Sequence, residues 1–189
     1  MESDWRNIKY LYSGSRKQKS AYDVLIKTNI FEILKGYDPI LIGTIPIEID
    51  IEKSDLDIAC EVYDFDKFEQ LVQNSFGNYN DFSINRMIYY DKEVFVANFF
   101  VDEFEIELYA EALSVEKQNG YRHMIIENRI LNFGGSKVKD IIIKYKNNGL
   151  KTEPAFAKYL NLSGNPYDEL LKFESVGDED IEKLLKVKN

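Results

Sequence analysis

The chain has 189 residues, 44% of them hydrophobic and 14% aromatic, which supplies a packed core and excludes a disordered chain. Its 33 acidic against 24 basic residues give a formal net charge of −9, so the basic footprint of a nucleic-acid binder is missing and no nucleic-acid partner is expected. A single cysteine, Cys60, excludes a disulfide framework. The opening "MESDWRNIKYLYSGSRKQKS" has no signal-like apolar run, and nothing approaches the roughly 18 apolar residues of a spanning helix, so a soluble cytoplasmic chain with no membrane partner is expected.

Helical periodicity opens the chain. Asp4 is a candidate cap for "WRNIKYLY", a second helix is expected near 16–26, and "TNIFEILKGY" reads as a third, capped by Thr28 and closed by Gly36. The period then changes. "DPILIGT" is a short apolar strand, and "SDLDIACEVY" alternates with period two. "FDKFEQLVQNSFG" returns to helix, with Phe65, Phe68, Leu71, Val72 and Phe76 on one face and Gly77 as its stop. Three strand-like runs follow, "FSINRMIYY", "EVFVANFFV" and "FEIELYA", with Asp91-Lys92 as the turn between the first two.

From Ser114 the chain is helical, with breaks at Gly134-Gly135, Gly149 and Gly164. "VEKQNGYRHMIIENRIL" offers Tyr121, Met124, Ile125 and Leu131 as a buried stripe, Gln118, Arg122 and Arg129 beside it, and a His123–Glu127 pair. In "GLKTEPAFAKYL", Thr152 is the expected cap, and Asn165-Pro166 begins a further helix. The fold class is therefore α+β: a mixed sheet flanked by helices over residues 1–113, with a C-terminal helical region, 114–189, packed on it as one unit.

The strand "SDLDIACEV" carries the chemistry. Residues two apart on a strand share a face, about 6–7 Å apart. Asp55 and Asp57 then point one way, while Leu56, Ile58, Cys60 and Val62 point into the core. Two such carboxylates can lean together over divalent ions about 3.5–4 Å apart, the spacing of two-metal phosphoryl-transfer sites. Acid-x-acid pairs alone are common in this chain, as Glu48/Asp50, Asp64/Asp66 and Asp178/Asp180 show. This one differs in lying within an apolar strand, after Gly43-Thr44.

"IGT" and "DLDI", separated by "IPIEIDIEKS", resemble the signature of the nucleotidyltransferase superfamily, with Thr44 where serine is usual. The stretches "GTIPIEIDIEKSDLDIACEV", "EKQNGYRHMIIENRIL" and "GLKTEPAFAKYL" resemble more closely a bacterial nucleotidyltransferase-like family of unknown function, over nearly the whole chain. The resemblance implies Asp55 and Asp57 as metal ligands for Mg²⁺ or Mn²⁺, with a nucleoside triphosphate (NTP) as co-substrate. It also implies a third carboxylate on a later strand, which would be a base or a further metal ligand. Glu107 is the expected residue, and Glu105 is the alternative on the same face.

Gly43 and Thr44 would form the phosphate-facing turn, with Ser54 within reach. Arg122 could clamp a phosphate, Lys151 could point into the cleft, and His123 is the lone histidine, which excludes a multi-histidine zinc site. Two functions compete on these residues. One is metal-dependent transfer of a nucleoside monophosphate from an NTP to a hydroxyl of a small molecule or protein, with the C-terminal helices walling the acceptor pocket. The other is a non-catalytic nucleotide-binding or regulatory module.

Overall fold

The computed structural model describes residues 4–89 and 92–188 of the chain. It divides into two compact units: Met1–Glu48 with Ser54–Gln118, and Ile49–Lys53 with Asn119–Asn189.

The first unit is built on a five-stranded sheet in the order β1-β2-β5-β4-β3. The strands are β1 (Ile40–Ile42), β2 (Leu56–Glu61), β3 (Asn80–Tyr89), β4 (Lys92–Val101) and β5 (Phe104–Glu111). Among the described residues only β2 and β5 run parallel; β1–β2, β3–β4 and β4–β5 are antiparallel. A parallel pair needs a long crossover, and here helix α4 (Phe65–Phe76) with β3 and β4 supplies it. The expected turn at Asp91 falls outside the described residues.

One face of this sheet is apolar. Leu56, Ile58 and Cys60 of β2, Phe95, Ala97 and Phe99 of β4, and Ile106 and Leu108 of β5 are all fully buried. They pack with Leu11 of α1 (Lys9–Ser13), Val24 and Leu25 of α2 (Arg16–Thr28), Ile30 of α3 (Ile30–Ile33), and Phe68, Val72 and Phe76 of α4. Phe76 stacks on Phe99 at 5.0 Å, and Phe68 meets Phe95 edge-on at 5.0 Å. Aromatic contacts of this kind add about 0.5–1.5 kcal/mol to area burial. The alternation read in "SDLDIACEV" thus holds, and it places Asp57 and Glu61 on the opposite face with Ala59 between them.

Local starts differ from the sequence reading at several points. Asp4 accepts a hydrogen bond from the Arg6 amide, but α1 begins only at Lys9. Helix α2 starts with a capping box: Ser15 accepts from the Gln18 amide, and Gln18 Oε1 accepts from the Ser15 amide. Thr28 does not cap the next helix. It ends α2 with its hydroxyl on the Val24 carbonyl at 2.9 Å, and Asn29, in left-handed conformation (φ 53°), makes the break. The loop "IPIEIDI" alternates like a strand yet forms turns, because Pro46 lacks an amide hydrogen and Glu48 is left-handed (φ 57°).

The second unit comprises α5 (Asn119–Asn147), α6 (Thr152–Leu160), α7 (Pro166–Leu171) and α8 (Asp178–Lys188). Helix α5 is broken at Gly135, whose φ of 64° and ψ of −162° lie outside the helical region. Its buried face is formed by His123, Met124, Ile126, Glu127, Ile130 and Leu131, whereas Tyr121 and Ile125 are only half-buried. The expected stripe was therefore rotated, because two ionisable side chains take inward positions that apolar counting skips. Thr152 is the first residue of α6, not its cap, which is Lys151 without a side-chain bond. Asn165 caps α7 as expected, accepting from the Tyr167 amide. Among the described residues no helix is long and apolar enough to cross a membrane.

Candidate active site

The polar face of the sheet gathers the residues of interest. Asp57 stands directly opposite Glu107 in the parallel β2–β5 ladder, where neighbouring strands lie about 4.7–4.9 Å apart. Glu107 is opposite Asn98 on β4, and Asn98 is opposite Ser83 on β3. A row of four polar residues therefore crosses four adjacent strands. The Asn98 amide nitrogen lies 3.3 Å from Glu105 Oε1 and 3.4 Å from Glu107 Oε2, so one NH₂ group serves two carboxylates. Asp57, Asn98, Glu105 and Glu107 are all half-buried, partly withdrawn from water but reachable.

Gly43 abuts this row. It has φ of +81°, and a Cβ placed there would lie 2.3 Å from Asp57 Oδ2. Absence of a side chain thus lets the Asp57 carboxylate rest against the turn that ends β1. Thr44 Oγ1 donates to Ser54 Oγ at 3.1 Å, closing the loop from the glycine turn back to the start of β2. Asp55 is half-buried just ahead of β2, two register positions before Asp57. The buried Gln18 of α2 donates from Nε2 to the carbonyls of Ile45 at 2.9 Å and Pro46 at 3.2 Å, which anchors the loop after Thr44.

In the helical unit, Arg122 is occupied. Its Nη2 and Nε donate to the two oxygens of Glu174 at 2.6 and 3.1 Å, and Nη1 donates to Asn119 Oδ1 at 2.9 Å. These hydrogen bonds hold Glu174 below the usual carboxylate range and raise the Arg122 guanidinium. Arg129 is likewise bonded to Asp178 and to the Phe173 and Val176 carbonyls. His123 pairs with Glu153, Nδ1 to Oε1 3.5 Å, and its Nε2 lies 3.0 Å from the Tyr167 carbonyl; Glu127 is not its partner. Lys151 is exposed at the start of α6.

Two contributors escaped the sequence reading. Asn98 was visible as a lone polar residue within the apolar run "EVFVANFFV". Gln18 was visible only as part of a capping box, since its loop partners are distant in sequence.

The donor set suits a hard cation. Among the described residues no three acidic, histidine or cysteine side chains close into a metal cage. Mg²⁺ usually needs no such cage, because it takes one or two carboxylates, substrate phosphates and water. Carboxylates opposed as closely as Asp57 and Glu107 are the oxygen ligands such an ion prefers.

Solved structures share this fold at low sequence identity. A cytoplasmic RNA terminal U-transferase aligns with a TM-score of 0.51 and 10% identity over 83% of this chain and 48% of its own. The Cid1 RNA terminal uridylyl transferase aligns with a TM-score of 0.53 and 11% identity, over 86% of this chain and 52% of its own. The GLD-2/RNP-8 complex gives 0.52 and 12%, over 95% of this chain and 81% of that one. The chain thus spans about half the length of the terminal uridylyltransferases it matches. The mixed sheet with flanking helices is the nucleotidyltransferase fold.

These neighbours correct one expectation. The acidic balance was read as excluding nucleic acid, yet the fold is shared with proteins described as RNA terminal transferases. Net charge governs long-range steering and solubility. It does not report the field at one cleft, where a bound cation inverts the local sign.

No curated protein sequence matches the chain. Residues 23–173 match the family described as Domain of unknown function (DUF4269), and the chain belongs to that family.

Proposed function

We propose that this protein transfers a nucleoside monophosphate from an NTP to an acceptor hydroxyl, and that the 3′ end of an RNA is the first acceptor to test. The observation that carries the reading is the Asp57–Glu107 pairing on β2 and β5, with Gly43 packed against the Asp57 carboxylate. The shared fold supports it, and the RNA acceptor follows from what the fold neighbours are described as modifying.

Asp55 and Asp57, with Glu107 beside Asp57, would hold Mg²⁺ or Mn²⁺, which when bound supplies charge neutralisation of the triphosphate. Gly43 and Thr44 would present backbone donors to the phosphate oxygens, with the Ser54 hydroxyl that Thr44 meets beside them. Glu107 takes the proton of the acceptor hydroxyl as that oxygen bonds to the α-phosphorus. The bond from the α-phosphorus to the bridging oxygen breaks, and pyrophosphate leaves. Fixed carboxylates next to one another serve proximity as well as electrostatics, since reacting groups must be held about 3–3.5 Å apart.

The test is product formation. The protein is incubated with each NTP, Mg²⁺ or Mn²⁺, and in turn a labelled RNA oligomer, a protein mixture and small-molecule alcohols. Pyrophosphate and an extended or modified acceptor are expected, with both lost in Asp57→Asn and Glu107→Gln. Release that persists unchanged in Asp57→Asn overturns the assignment. The engagement of Arg122 with Glu174 favours a second reading, a nucleotide-binding module without turnover. That reading predicts a metal-dependent thermal shift with an NTP but no pyrophosphate with any acceptor.

A further inference from the structure

We infer that Asn98 is a positioning residue of the carboxylate row, setting the cation affinity of the site by orienting Glu107. The inference rests on the transfer reading above and adds a residue to it.

Asn98 interrupts a strand whose neighbours Ala97 and Phe99 are fully buried in the core. Its side chain lies on the other face, half-buried, directly across from Glu107. Glu105 and Glu107 sit two apart on β5, and Asp57 is one strand away, so three carboxylates share a small area. Their mutual repulsion would turn the side chains apart. The Asn98 NH₂ group, 3.3 Å from Glu105 and 3.4 Å from Glu107, donates to both. Only the nitrogen end of the amide can do so, because a carboxylate accepts and does not donate.

The choice of an amide matters. A lysine or arginine at this place would also orient the carboxylates, but its charge would compete with a divalent cation for them. Asparagine supplies two N–H donors with no charge, so the acids stay oriented and keep their affinity. Both contacts are long for amide–carboxylate bonds. Bonds of this kind tighten when a ligand draws the partners into place. Hydrogen-bond partners of metal-ligating groups typically contribute about 10–100-fold in affinity.

Mn²⁺ is the probe, and its binding to the full chain is followed by electron paramagnetic resonance, alone and with ATP or UTP. Asn98→Leu is expected to weaken Mn²⁺ binding by about 10–100-fold, with circular dichroism and melting temperature close to those of wild type. Should that variant fail to fold, Asn98→Thr carries the same test, because threonine suits a strand and has no amide. In turnover, kcat is expected to fall more than KM for the NTP rises. A folded variant that holds Mn²⁺ as tightly as wild type overturns the role of Asn98 while leaving the transfer reading intact. Wild type that binds no Mn²⁺ with or without NTP overturns both.

Discussion

Asp57 and Glu107 face one another across the parallel pair β2–β5, and the Asp57 carboxylate rests on Gly43, where any Cβ would come within 2.3 Å of it. Two like charges placed opposite each other on neighbouring strands are unfavourable in the absence of a cation.

On the proposed transfer, Asp57→Asn should relieve this repulsion and remove function. The melting temperature should rise by roughly 2–4 °C, corresponding to up to about 1 kcal/mol. Pyrophosphate release should disappear. Added Mg²⁺ should raise the wild-type melting temperature and leave that of the variant nearly unchanged, narrowing the gap between them. Differential scanning fluorimetry with and without Mg²⁺ measures both effects.

Gly43→Ala should act on Asp57 at a distance of one turn. A left-handed alanine costs about 1–2 kcal/mol, and the new methyl displaces the carboxylate. A misplacement near 1 Å can cost about 100-fold in rate. Gly36→Ala is the control, since nothing lies within 4 Å of a Cβ there and φ is not positive. Steady-state pyrophosphate assays and urea melts on the two variants separate the effects.

Gln18→Leu should destabilise the first unit by about 1–3 kcal/mol, because it leaves the Ile45 and Pro46 carbonyls without their buried donor. Helix α2 also loses one half of its capping box. In urea unfolding the midpoint should fall with the slope unchanged. Turnover of the folded fraction should also drop, since the loop from Thr44 to Ser54 loses its anchor.

Glu127 gives a pH signature. It is buried on α5, and one carboxylate oxygen has no hydrogen-bond partner. Desolvation, and to a lesser extent the charge of Glu153, push its carboxyl well above the usual range, against an opposing pull from Lys146. A carboxyl with a raised folded pKa favours the native state fully below its unfolded value near 4.3. That contribution is lost as pH climbs through the folded value. Glu127→Gln should therefore flatten the fall in stability above about pH 4.3. Chemical unfolding of wild type and variant at pH 4 to 8 checks the slope, and parallel curves would refute it.

Period and punctuation in the sequence already contained most of the first unit. Leu56, Ile58, Cys60 and Val62 alternate with Asp57 and Ala59, so the strand and its polar face follow from the two-residue repeat alone. The five phenylalanine, leucine and valine positions of α4, and the Asn165-Pro166 start of α7, were legible for the same reason: their signals are local. Gly43 and the acidic pair likewise announced a turn before a carboxylate strand.

Tertiary structure decided what local patterns cannot encode. The pairing of Asp57 with Glu107, fifty residues apart, depends on β5 entering the sheet parallel to β2. Gln18 on its loop carbonyls, the pairing of His123 with Glu153, and the capture of Arg122 by Glu174 are contacts between distant segments, and the Asn98–Glu107 contact depends on the β4–β5 register. A long polar side chain on a helix can reach several neighbours, and only the packed chain selects which. The segment "IPIEIDI" shows the same limit, since its alternation does not make it a strand. Backbone pairing requires a partner strand, and Pro46 together with the left-handed Glu48 turns this segment away from one.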